Sequence, residues 1–232
     1  MDTLILNIET STKSCSVCLS KNGNPWVIKE SYTAAGHAAN LTLYVAAVMR
    51  TAQRSLADLD AIAVSQGPGS YTGLRIGVSV AKGLAFSLDK PLVAIDTLQA
   101  LAAGQQQRYT GSDTLFVSMI DARRMDAYVG VYGHNLAVLR APYFCTLSQE
   151  AFDMMLAQEA ASQYLIAGDA LPKYTSAFKY NQASEYQLVH PSAKYMAGLS
   201  QAKFEQQEFV DVAYFEPFYL KAPNITKPKP KF

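Results

Sequence analysis

Gly73, Gly77, Ala81 and Ala85 recur at every fourth residue in a stretch that opens with Gln66-Gly67-Pro68-Gly69-Ser70-Tyr71-Thr72. On a helix that spacing puts four small residues in one row, so one face is almost bare backbone. Glycine inside a helix costs roughly 1 kcal/mol relative to alanine. Two glycines on one row therefore need an offsetting gain, and close approach of another helix along 4-4 ridges is the usual one. The residues leave open whether that neighbour is internal, such as a helix expected over 38–54, or belongs to a partner. Leu74, Val78 and Lys82 line a second edge of the same helix.

Around this stretch the pattern is α/β. Leu4-Ile5-Leu6-Asn7-Ile8 is a short apolar run, and residues 14–20 alternate Cys15, Val17 and Leu19 with Ser16, Cys18 and Ser20. These read as two strands joined by Glu9-Thr10-Ser11-Thr12, with a third strand over 26–32. On the helix expected over 38–54, Leu41, Val45, Val48, Met49 and Ala52 form one apolar stripe. Leu43, Ala46 and Ala47 lie off it, so more than one side of that helix is expected to be covered. Strands at 61–64 and 91–95 alternate with helices at 72–87 and 97–106. A second three-strand meander is expected over 115–120, 127–132 and 138–143. A helix at 148–158, a strand at 164–167, a short helix from Leu171 and a helix at 192–204 follow. The restart suggests two halves meeting near Gly104 to Ser112, namely 1–106 and 113–220, with the second thinner in helices.

Bulk properties narrow the function classes. Of 232 residues, 50% are hydrophobic and 17% charged, a globular balance. A net charge of +1 gives no global field toward nucleic acid or anionic lipid. The stretch 221–232 is the exception, carrying Lys221, Lys227, Lys229 and Lys231 among three prolines with no acid. It is expected to be an extended, solvated tail. There is no basic segment followed by an apolar run at the start and no run long enough to span a membrane, so a cytoplasmic protein without membrane contact is expected. Three cysteines are too few for a disulfide framework.

The chemical motifs mostly fail. Cys15 and Cys18 sit three apart on a strand, where alternating side chains cannot both reach one metal. His37, His134 and His190 are isolated. Around Ser70 the glycine positions of a nucleophile elbow hold Pro68 and Thr72. Gly67, Gly69 and Gly73 miss the dinucleotide spacing by one residue, and no Walker lysine follows. A glycine-rich loop entering a helix can still offer N–H groups to an anion. Asp121, Arg123 and Arg124 form a polar cluster that lines either a cleft or a solvated hairpin.

The segment from Gln66 to Gly77 closely resembles the signature of the TsaB (YeaZ) family. So do Ile8-Glu9-Thr10-Ser11-Thr12 and Glu216-Pro217-Phe218-Tyr219-Leu220. The resemblance covers the first hundred residues well and the rest loosely. It implies an actin-like, hexokinase-related (ASKHA) α/β fold of two duplicated halves, each with a mixed sheet and flanking helices, the second reduced. It also implies a role in forming N6-threonylcarbamoyladenosine next to the tRNA anticodon. There the chain would be a non-catalytic subunit supporting a TsaD-like enzyme, with a TsaE-like ATPase joining them and tRNA reached only through the complex.

TsaD-like chains carry a His-x-x-x-His metal pair after the strand that follows the glycine helix. Here those positions hold Thr97 and Leu101. Neither cofactor nor metal is therefore expected. The resemblance further implies that the first-half helices meet TsaD, or a second copy when the chain is alone. The expected contact residues are Leu41, Val45, Gly73, Leu74, Gly77, Val78 and Ala81. A glycoprotease-like hydrolase or small-molecule kinase of the same superfamily is the alternative.

Overall fold

The apolar runs at both ends of the chain's first half close into one sheet. In a computed structural model, residues 2–32, 36–109, 113–159, 161–177 and 184–221 are described. Strands β1 (Leu4–Glu9), β2 (Cys15–Lys21) and β3 (Asn24–Ser31) form the antiparallel meander. Helix α1 (His37–Thr51) leads to β4 (Ala61–Gly67), α2 (Tyr71–Leu88), β5 (Leu92–Asp96) and α3 (Thr97–Gln106). The sheet order is β3-β2-β1-β4-β5, with β4 parallel to both β1 and β5.

The arrangement repeats. Strands β6 (Thr114–Asp121), β7 (Asp126–Tyr132) and β8 (Val138–Thr146) form a second meander. Helix α4 (Gln149–Gln158), β9 (Gln163–Ala167), α5 (Leu171–Ala177), β10 (Ser184–Gln187) and α6 (Ala197–Glu205) follow. The second sheet, β10-β9-β6-β7-β8, has the first sheet's order when β6 to β10 stand for β1 to β5. Strand β10 is an addition to the sequence expectation. It is short, and its polar Ser-Glu-Tyr-Gln run carries no apolar alternation.

The first sheet is covered on both faces. Leu6, Ile8, Val17 and Leu19 pack with Leu41, Val45, Val78 and Ala81 on the side of α1 and α2. Ile5, Cys18, Ala63 and Val93 pack with Ala100, Ala193 and Met196 on the other. That double cover buries Cys15 and Cys18 on opposite faces, and burial pushes their thiols up to about 11 and about 12. Asn7 would be costly in such a core without partners. It donates to Ser20 Oγ at 3.0 Å and accepts from Ser200 Oγ at 2.7 Å, which ties α6 to β1.

Helix α3 lies where the two sheets meet. Its Leu98 and Ala102 join Phe116, Ile120, Tyr132 and Leu165 of the second sheet, whereas Ala100 joins the first. One correction concerns the segment expected as a single helix over 192–204. Residues Ala193–Met196 form a 3-10 turn before α6, and both pack on the first sheet. The chain then stays there, with Val210 bridging Leu92. Only long-range packing decides that return. The basic tail expected over 221–232 lies outside the described residues from 222 onward.

Candidate functional site

The turn between β1 and β2 and the entry to α2 form one buried unit. Glu9, Thr10, Ser11 and Ser14 are fully buried. Ser70 N–H donates to the Ser11 carbonyl oxygen at 2.6 Å, and Thr10 Oγ1 donates to the Gly73 carbonyl oxygen at 2.8 Å. Ser70 itself caps α2, its hydroxyl accepting from Gly73 N–H at 3.3 Å, so its side chain serves as a helix cap. A Cβ on Gly69 or Gly73 would collide with the Ser11 or Thr10 carbonyl oxygen, and one on Gly77 with Thr10 Oγ1. The small residues are there so that this turn can sit on α2.

That arrangement does not fit a phosphate. The Ser11 carbonyl and the α2 entry are bonded to each other, and the neighbouring carboxyl is that of Glu9. Burial pushes Glu9 up to about 7, although Ser11 N–H donates to its Oε1 at 2.5 Å. Among the described residues, Glu9 Oε2 and the hydroxyls of Ser11, Ser14 and Ser65 form no hydrogen bond of ordinary geometry, although the Ser11 and Ser65 hydroxyls lie near enough to the Glu9 carboxyl to oppose the effect of its burial. The positions of a TsaD-like metal pair, Thr97 and Leu101, are both buried at 0% exposure on α3. Leucine offers no donor atom, and no group of three His, Cys, Asp or Glu that could hold a metal gathers among the described residues.

The expected contact residues lie elsewhere than a free surface. Leu41, Val45, Leu74, Val78 and Ala81 are at most 5% exposed, and Gly73 and Gly77 face Thr10. The bare stripe is an internal seam, because the first turn occupies it. This corrects the residue-level expectation for all seven. The outward sides of the same helices are different. Leu43 is 64% exposed and Phe86 is 83% exposed, with Ala46 of α1 also exposed. A Cβ on Gly83 would meet nothing within 4 Å. The signal that could have found this face was Leu43 and Ala46 lying off the α1 stripe.

The Glu216–Leu220 run has a local explanation. Phe218 N–H donates to the Gln66 carbonyl oxygen at 2.7 Å, and a Cβ on Gly67 would meet the Phe218 carbonyl oxygen. Tyr219 packs against Tyr71 with the rings tilted by 38°, its hydroxyl accepting from Arg75 Nε at 3.3 Å, while the Arg75 guanidinium lies over the Tyr71 ring. Lys82 Nζ donates to the carbonyl oxygens of Ala213 and Phe215 at 3.1 and 3.0 Å. The segment 210–219 is thus a strap along the flank of α2.

The Asp121–Asp126 turn of the second sheet occupies the place that Glu9–Ser14 holds in the first. Asp121 N–H donates to Asp169 Oδ1 at 2.8 Å, and Lys173 pairs with the Asp121 carboxylate. Arg123 and Arg124 are exposed. The solvated-hairpin reading of this cluster describes its arginines, and Asp121 is held by its neighbours.

Two sheets of one strand order with helices around them define the actin-like, hexokinase-related class of α/β proteins. The family model described as TsaD, tRNA N6-adenosine threonylcarbamoyltransferase, matches residues 30–226. The tRNA threonylcarbamoyladenosine biosynthesis protein TsaB of Haemophilus influenzae is 28% identical over 94% of this chain and 93% of its own length. The Escherichia coli TsaB protein is 27% identical over 94% of each. The solved structure of YeaZ from Pseudomonas aeruginosa superposes with a TM-score of 0.79 at 26% identity, over 94% of this chain and 100% of that one. The chain belongs to the TsaD family, and these relatives, which match it over nearly its whole length, are TsaB (YeaZ) proteins.

Proposed function

We propose that this chain works in tRNA threonylcarbamoyladenosine biosynthesis as a non-catalytic subunit that docks a TsaD-like enzyme. The observation that carries the reading is the outward face of α1 and α2, where Leu43, Ala46, Gly83 and Phe86 present apolar and bare surface to solvent. Large apolar side chains left in water on two adjoining amphipathic helices suit a contact surface. Thr97 and Leu101 at the metal-pair positions, together with the filled turn at Glu9–Ser14, support the non-catalytic part. In this reading 1–106 is the docking half and 113–220 the second half. The same face pairs two copies when the chain is alone, a TsaE-like ATPase joins the complex, and tRNA is reached through it in the cytoplasm.

The test is co-purification of a TsaD relative with wild type, Leu43→Glu and Ala46→Glu. Charge at either position leaves the isolated chain folded, since both side chains already face water. Loss of the TsaD relative with circular dichroism unchanged is the expected result; undiminished recovery with both variants would overturn the placement.

A further inference from the structure

Arg123 and Arg124 stand at the tip of the β6–β7 hairpin with φ of 69° and 51°. Side chains with a Cβ rarely take this left-handed region, and asparagine or glycine would hold such a turn with less strain. The hairpin is nonetheless fixed. Ala122 N–H donates to the Asp126 carbonyl oxygen at 3.1 Å, Asp126 N–H to the Arg123 carbonyl oxygen at 3.0 Å, and Arg123 N–H to Asp121 Oδ1 at 2.5 Å.

The acids of the hairpin are engaged by other cations. Asp121 pairs with Lys173, and Asp126 with Lys221 at 3.0 Å and with Thr146 Oγ1 at 2.8 Å. Asp126 feels the charge of Arg124, yet neither guanidinium forms an ion pair or hydrogen bond among the described residues. Two adjacent cations therefore stand on a fixed backbone without an ion pair among the described residues, on a chain whose net charge is only +1. Beside them Met125 and Phe144 are more than a third exposed, and Lys221 Nζ lies 4.5 Å from the Phe144 ring centroid.

Guanidinium forks match phosphate geometry, and cations interleaved with an exposed aromatic ring are the chemistry of RNA contact. Strain kept where a turn could shed it points the same way, because strained residues gather at binding sites. We propose that the 121–126 hairpin contacts the phosphodiester backbone of the tRNA held by the assembled complex, an inference that rests on the function proposed above. Arg123 and Arg124 supply phosphate contacts that position the RNA and carry no sequence information.

The experiment uses the full chain assembled with a TsaD relative, and measures tRNA affinity from about 50 to 200 mM salt, with Arg123→Asn/Arg124→Gly as the variant. Both replacements suit the left-handed backbone, so the variant keeps or raises the melting temperature. Loss of two contacts makes the slope of log K against log salt less negative by ~1.4 to 1.8, with recovery of the TsaD relative unchanged. An unchanged slope and affinity would overturn the proposal. So would weaker RNA binding that simply follows loss of the TsaD relative. Failure of the wild-type chain to join that relative at all would instead overturn the docking function, and this inference with it.

Discussion

Thr10 Oγ1 and the Gly73 carbonyl oxygen, 63 residues apart in sequence, are joined by a buried hydrogen bond of 2.8 Å. One helical turn on, Gly77 passes the same threonine so closely that no Cβ could stand there. The first turn and α2 are thus one packed unit, and the glycine stripe exists for that contact.

Substitution at Gly77 should therefore run against helix propensity. Alanine in a helix interior normally gains about 1 kcal/mol over glycine. Here Gly77→Ala destabilises by about 1 to 3 kcal/mol, because Thr10 is buried and bonded and cannot yield. Thr10→Ala removes the colliding oxygen, so the double variant should lose less than the sum of the singles. Urea denaturation of the four proteins measures this; additive losses would contradict the packing described.

Gly83, six residues from Gly77 on α2, should behave oppositely. Its missing Cβ points into open space, so Gly83→Ala should stabilise the isolated chain by about 0.5 to 1 kcal/mol. Gly83→Trp should also fold, yet obstruct the outward face and lower recovery of a TsaD relative. A destabilised Gly83→Ala would mean that the helix face is covered within the chain.

Glu9 gives the fold a pH dependence of definite sign. Burial raises its carboxyl from 4.5 to about 7, against the lowering effect of Ser11. The folded chain holds this proton more tightly than the unfolded one. Stability present below the ordinary carboxylate value is thus lost as pH rises toward 7, on the order of 3 kcal/mol across the window. Asp96 and Asp169, raised by burial as well, act in the same direction. Denaturation midpoints at about pH 5 and pH 7.5 should differ in wild type and differ much less in Glu9→Gln; equal differences would remove Glu9 from the account.

Lys82 holds the strap. In Lys82→Met the carbonyls of Ala213 and Phe215 lose their charged donor, a local loss of about 1 to 2 kcal/mol. Limited proteolysis should then cut within 210–219 faster than in wild type, with the midpoint of global unfolding little changed. Equal cutting rates would show the strap to be held by Phe218 and Tyr219 instead.

Local pattern carried the fold a long way. The alternation in Cys15–Leu19, the helical stripe of Leu41 to Ala52 and the second meander gave every strand but β10 and most of the helices, and α3 spans the expected 97–106. What spacing could not tell was which neighbour a stripe meets. Small residues at 73 and 77 demand a close approach, but a partner helix and a buried turn satisfy that demand equally. The Glu9-Thr10-Ser11-Thr12 run reads as a hairpin turn, but its burial depends on α2 arriving from 60 residues away. Likewise Ser200 and Val210 reach the first sheet only through tertiary contact. Leu43 and Ala46 were legible as off-stripe apolar residues, yet burial alone separates an outward face from a second covered one.

The most direct test of the central claim is reconstituted threonylcarbamoylation of tRNA by a TsaD relative with its ATPase partner, with this chain omitted, restored, or restored as Leu43→Glu. The account predicts little product without the chain, full product with it, and product near the omitted level with the variant. Product that is unaffected by omission, or turnover by this chain alone, would contradict it.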